Sequence, residues 1–196
     1  GKTSLALAAV VRTSDAFPDG AFGVRLASVD TPDQVPLAVA DALGVPLDGA
    51  AAVRDVRERV VSFLVRRRLL LLVDNCEHVI DAAAEIADDV LRSCPNAKIL
   101  TTSRQALGLT GEQTWLVPPL SVEDAVQLFE ERARAVKPGF TTTDVVADIC
   151  RRLDGIPLAI ELAAARVRVL TPEQRTARLV ERFSILSGGA RTTVPP

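Results

Sequence analysis

The sequence predicts an α/β fold, a parallel sheet with helices on both faces, followed by a small all-helical domain. Three observations predict it. Two short apolar runs, Leu69–Val73 and Ala97–Thr102, are separated by a segment with helical periodicity. Neither run shows the polar alternation of a half-exposed strand, as expected of strands covered on both faces. Beyond Pro118-Pro119 the strand signal stops and helical spacing continues alone.

Each element follows from local chemistry. Thr3–Arg12 is apolar nearly all round, which predicts a helix buried against the sheet. Ala21–Val29 reads as a strand, with a loop at Asp30-Thr31-Pro32. Gln34–Leu43 reads as a helix ended by Gly44, a residue free to take the left-handed conformation of a C-terminal cap. Asp55–Val65 places Val56, Val60, Phe63 and Leu64 on one helical face. Leu69–Val73 is a buried strand, Val79–Leu91 an Ala-rich helix and Ala97–Thr102 a second buried strand. Gln113–Val117 is a candidate for a third. Ser121 and Asp124 form a capping box ahead of Val122, Ala125, Val126, Phe129 and Ala133 at helical spacing. Helices are expected at about 143–153, 157–169 and 172–183, with Pro157 and Pro172 in first turns, where a missing N–H costs nothing. The domain boundary is placed near residue 120, giving 1–120 and 121–196.

Composition narrows the function classes. The 196 residues are 48% apolar, enough for one sizeable core or a domain with a smaller satellite. There are 23 basic and 25 acidic residues, and the one basic run is Arg66-Arg67-Arg68. This segment therefore lacks the basic footprint that nucleic-acid binding requires. Cys76, Cys94 and Cys150 are far apart and His78 is the single histidine, so a zinc site is not expected. The odd cysteine count points to a reducing compartment, and no apolar run approaches the ~20 residues of a membrane span. Those readings predict a cytoplasmic protein. The chain contains no Met and is read as a piece of a longer protein.

Four short motifs carry the chemistry. Gly1-Lys2-Thr3-Ser4 matches the end of the phosphate-binding pattern G-x-x-x-x-G-K-[ST]. In that pattern glycine lets the backbone approach phosphate, the lysine reaches the β- and γ-phosphates, and the hydroxyl coordinates Mg²⁺. The first glycine and the preceding strand are not in this sequence. Leu70–Val73 runs into Asp74, a carboxylate at the end of a buried parallel strand, where such proteins hold Mg²⁺. Taken alone Asp74 reads as a helix cap, and the Gly-Lys-Thr helix favours the metal reading. Thr101-Thr102-Ser103-Arg104 follows the next strand, so Arg104 emerges at the same sheet edge and can meet a γ-phosphate, although taken alone it reads as a surface arginine. In Leu153–Ala159, Gly155 ends one helix and Pro157 starts another, which is sufficient without a ligand.

In this order, GKTSLA, LLLLVDNCEH, ILTTSR and DGIPLAIELAAAR resemble the STAND class of P-loop ATPases in its NB-ARC form. More narrowly, the chain is similar to the ATPase modules of actinobacterial transcriptional regulators of the LuxR and antibiotic-regulatory types. Residues 182–189 resemble the segment that leads to their winged-helix region. The resemblance implies a P-loop NTPase sheet, an NB-ARC-type helical lid, and ATP or ADP with Mg²⁺ as cofactors. It implies nucleotide contacts from Gly1, Lys2, Thr3 and Ser4, metal ligation by Thr3 and Asp74, and γ-phosphate sensing by Arg104. Gly155 and Pro157 match the G-x-P turn that packs near adenine. DNA binding is expected from another domain of the parent protein, and nucleotide-dependent self-association is compatible with the class.

One departure matters. Many NB-ARC proteins carry a second acid directly after the Mg²⁺ aspartate, and this chain has Asn75 there. Glu77 is the nearest substitute for a base, so hydrolysis is expected to be slow at best. Three functional readings stand at this point: a nucleotide-dependent regulatory switch, an AAA+-like ATPase with productive turnover, and a degenerate scaffold that no longer binds nucleotide.

Overall fold

The computed structural model describes residues 1–47 and 52–168. These divide into two compact units, one over Lys2–Trp115 and one beginning at Leu116. The expected helix at 172–183 and the motif at 182–189 lie outside the described residues.

The first unit is α/β. Its elements are α1 (Lys2–Thr13), β1 (Ala21–Arg25), α2 (Gln34–Leu43), α3 (Val53–Leu64), β2 (Leu70–Asp74), α4 (Ile80–Ser93) and β3 (Lys98–Thr102). The strands form a parallel sheet in the order β1-β2-β3. Leu70 pairs with Ala21 and Lys98, and at the other end Asp74 pairs with Arg25 and Thr102. All three strands thus stop at one level, which places the residues that follow them at a common edge.

β2 is buried along its whole length. Alternate side chains of a strand point to opposite faces. Leu71 and Val73 join the main core with Val35, Val39, Val56, Val60, Ile86 and Val90 from the helices α2, α3 and α4. Leu70 and Leu72 are also buried, and they face the other side, where α1 packs against β2 and β3. Continuous burial is the reason this strand contains no alternation. Arg57 fastens α3 to α4 by reaching Glu85 and Asp89, each at 2.6 Å. Gly44 caps α2 in the left-handed conformation, at φ 68°.

Several expectations are corrected. β1 ends at Arg25 rather than Val29, because β2 offers no partner beyond Asp74. The chain then turns through a short 3₁₀ segment, Leu26–Ser28, which buries Leu26. β3 is only partly buried, with Lys98 exposed, because it pairs with β2 alone among the described residues. The helix α1 buries Ala6 and leaves Leu5, Leu7 and Val11 exposed, because a three-stranded sheet covers only one of its faces. Gln113–Val117 forms no strand: among the described residues no neighbour pairs with it, and Trp115 and Leu116 are 82% and 92% exposed.

The second unit is helical over the described residues, with α5 (Val122–Val136), α6 (Asp144–Arg152) and α7 (Pro157–Ala165). Ser121 caps α5, accepting the Asp124 N–H at 3.1 Å and donating to the Asp124 carboxylate at 2.9 Å. The core gathers Ala125, Phe129, Ile149, Ile160 and Ala164, and the Phe129 and Phe140 rings lie 5.9 Å apart. Between α6 and α7 both Asp154 and Gly155 have positive φ, 52° and 64°. Gly155 is buried, and its carbonyl accepts the Leu120 N–H at 2.9 Å. A Cβ at Gly155 would overlap the Leu120 carbonyl oxygen. Among the described residues, no helix is long and apolar enough to cross a membrane.

Two predictions arise from this packing. Gly155→Ala combines a left-handed backbone with a backbone overlap, and is expected to lower unfolding free energy by about 2 kcal/mol or more. Chemical denaturation of the two proteins measures it. The three cysteines are all free and buried. Burial pushes the Cys76 thiol up from its ordinary 9.0 to about 12, with Asp74 and Glu77 adding to the effect. The folded state therefore retains a proton that the unfolded state releases above pH 9.0. Its contribution to stability is intact below that pH and is lost as pH rises toward about 12. Unfolding titrations between pH 8 and 11 are expected to show a steeper decline for the native chain than for Cys76→Ala.

Candidate functional site

The sheet edge at the ends of β2 and β3 meets the start of α1. Asp74 closes β2 and is 8% exposed. Its Oδ1 accepts two hydroxyl bonds, from Thr3 Oγ1 at 2.8 Å and from Thr102 Oγ1 at 2.5 Å. Thr3 lies in the first turn of α1, and Thr102 is the last residue of β3, directly across the ladder from Asp74. Three elements thus converge on one carboxylate oxygen.

Lys2 extends the cluster. Its Nζ donates to the Ser103 carbonyl at 2.7 Å, joining the start of α1 to the end of β3. The neighbouring N–H groups of the α1 first turn have no helical partners, so this end carries partial positive charge beside the lysine. The arrangement puts an ammonium and a helix N-terminus next to a carboxylate that two hydroxyls hold.

The turn after β2 is fixed with unusual backbone geometry. Asn75 adopts φ 68° and ψ 53°, the left-handed region that asparagine tolerates better than most residues. Its N–H donates to Thr102 Oγ1 at 3.0 Å, and its side-chain amide lies 3.4 Å from His78 Nδ1. The other ring nitrogen of His78 is 2.9 Å from the Val29 carbonyl. A neutral imidazole with its proton on Nε2 satisfies both contacts. His78 thereby ties the loop after β1 to the loop after β2.

Glu77 and Arg104 pair with each other, Oε1 to Nε at 3.1 Å. The Arg104 side chain is 82% exposed and that of Glu77 is 23% exposed, so the pair spans the rim of the cluster. Gly1 and Ser4 are exposed at the start of the chain. Gly155 and Pro157 belong to the helical unit, where they build the turn into α7.

This donor set suits a hard divalent cation that takes its remaining ligands from phosphate and water. A carboxylate and a hydroxyl, already 2.8 Å apart, are oxygen donors of the type Mg²⁺ uses beside substrate phosphates. No cluster of three or more His, Cys, Asp or Glu side chains is present among the described residues, so a protein-only cage is not built there.

Motif reading overlooked Thr102, which lies inside ILTTSR between two other hydroxyl residues. The signal that distinguishes it is cross-strand register, since Thr102 alone of the three stands opposite Asp74. It also overlooked the Ser103 carbonyl and the His78 bridge, because neither a backbone acceptor nor a contact over 49 positions leaves a local pattern.

No protein-family profile matches the chain. An uncharacterized protein of Mycobacterium tuberculosis is 45% identical over 201 residues, covering the whole chain and 50% of the relative. An uncharacterized protein of Mycobacterium bovis matches with the same figures. A further Mycobacterium tuberculosis protein, which carries the name of an HTH-type transcriptional regulator, is 43% identical over 199 residues, covering 99% of the chain and 22% of the relative. The chain therefore spans about half the length of the uncharacterized relatives and about a fifth of the one named as a regulator.

Proposed function

We propose that this chain is the nucleotide-binding part of a transcriptional regulator, and that it works as a switch set by ATP or ADP with Mg²⁺. The observation that carries the reading is the convergence of Thr3, Asp74 and Lys2 at the ends of β2 and β3. Similarity to a relative named as an HTH-type transcriptional regulator supports the regulatory half. DNA recognition is assigned to other parts of the parent protein.

In this reading Lys2 binds the β- and γ-phosphates, and the α1 first turn supplies N–H groups to the same anion. Thr3 and Asp74 hold Mg²⁺, which would neutralise phosphate charge when bound. Magnitudes favour exchange of the contacts now present. The bond from Lys2 to the Ser103 carbonyl ends on a neutral acceptor, whereas a phosphate pairs the ammonium with an opposite charge. The Glu77–Arg104 pair is exposed on the arginine side and is worth about 0–1 kcal/mol. A γ-phosphate can therefore draw Arg104 away at small cost.

The same contacts favour a switch over rapid turnover. Asn75 cannot act as a base, and its amide is engaged with His78. Glu77 is held by Arg104. Slow hydrolysis suits a protein whose output is the difference in affinity between two states.

The test uses the full-length parent protein. Lys2→Ala is expected to lower ATP affinity by roughly 10- to 100-fold, the loss of one or more charged hydrogen bonds. Asp74→Ala is expected to weaken binding in Mg²⁺ more than binding in EDTA. Isothermal titration of both variants measures this, and unchanged affinity in Lys2→Ala would refute the phosphate site.

A further inference from the structure

We infer that Thr102 is a positioning residue for the metal site, holding Asp74 through a bond that survives cation binding. The inference rests on the nucleotide reading above and adds a residue to it. Thr102 is 7% exposed and stands opposite Asp74 in the parallel ladder. Its hydroxyl accepts the Asn75 N–H at 3.0 Å and donates to Asp74 Oδ1 at 2.5 Å. A hydroxyl has one proton. Once its oxygen faces the Asn75 N–H, that proton is free to point at the carboxylate, so the backbone turn orients the donor.

Thr3 differs although it bonds the same oxygen. It is exposed at the start of α1, and its proton also points at Asp74 Oδ1. Its lone pairs remain available, so ligation of a cation would use the hydroxyl oxygen while the proton stays directed at Asp74. Thr102 is buried and its oxygen is committed to the Asn75 N–H, so it holds the carboxylate rather than ligating. The Thr102 bond fixes Oδ1 and leaves Oδ2 without a hydrogen bond among the described residues. Asp74 is thereby held in a defined orientation before the cation arrives. Partners that orient a ligating carboxylate in this way typically govern metal affinity by 10- to 100-fold.

The experiment titrates Mg²⁺ into the full-length protein with ADP, following nucleotide binding by fluorescence, and repeats ADP binding in EDTA. Thr102→Val keeps the side-chain shape and removes the hydroxyl. It is expected to raise the Mg²⁺ concentration for half-maximal effect by about 10- to 100-fold, with ADP affinity in EDTA unchanged. Thr102→Ala removes the same hydroxyl with less bulk and is expected to give the same shift, and Thr102→Ser to restore the native titration. Equal losses with and without Mg²⁺, or failure of Thr102→Ser to restore the titration, would show a merely structural role and overturn the inference. A native Mg²⁺ titration in Thr102→Val would do the same. Absence of nucleotide binding by the native protein would instead overturn the nucleotide reading, a result distinguishable from the others.

Discussion

Burial of β2 on both faces and both edges is the constraint on which the rest of the structure depends. A five-residue strand with no exposed side chain must have a strand on each side and helices above and below. Asp74 is part of that strand and cannot leave the protein interior without disrupting the ladder. A carboxylate so placed needs hydrogen bonds, because burying a charge without them costs several kcal/mol. The two hydroxyls from Thr3 and Thr102 meet that need. The site at the sheet edge is thus a consequence of the core: the strand that makes the fold also delivers the charge.

The contacts at this edge share a pattern. Lys2 rests on a backbone carbonyl, Thr3 rests on a carboxylate, and Arg104 rests on Glu77. In the nucleotide reading proposed above, Lys2 and Arg104 would exchange these acceptors for phosphate, and Thr3 would add a cation to its bond to Asp74. Asn75 and Thr102 behave differently, since they secure the turn itself and bond backbone or carboxylate that does not need to move.

Much of this was legible in the sequence, and the exceptions have physical causes. Leu70–Val73 announced itself, because a strand buried on both faces cannot alternate. Asp74 and Thr3 were readable as residue types at motif positions. Their direct bond was not, since 71 positions separate them. The exposed face of α1 was misjudged because apolar content shows what a helix could bury and not how much sheet is present to cover it. Gln113–Val117 has the composition of a strand, but strand preference depends on neighbours, and among the described residues none is paired with it. Thr102 was hidden among Thr101 and Ser103 until register singled it out.

In the proposed switch, Thr3, Asp74 and Lys2 form one phosphate–Mg²⁺ site. The most direct measurement is a crystal structure of the full-length protein grown with Mg²⁺ and a non-hydrolysable ATP analogue. A cation is expected about 2.0–2.1 Å from Thr3 Oγ1, with Asp74 bound to it directly or through water, and phosphate on Lys2. A nucleotide bound elsewhere, or a phosphate on Lys2 with the cation remote from Thr3 and Asp74, would contradict it.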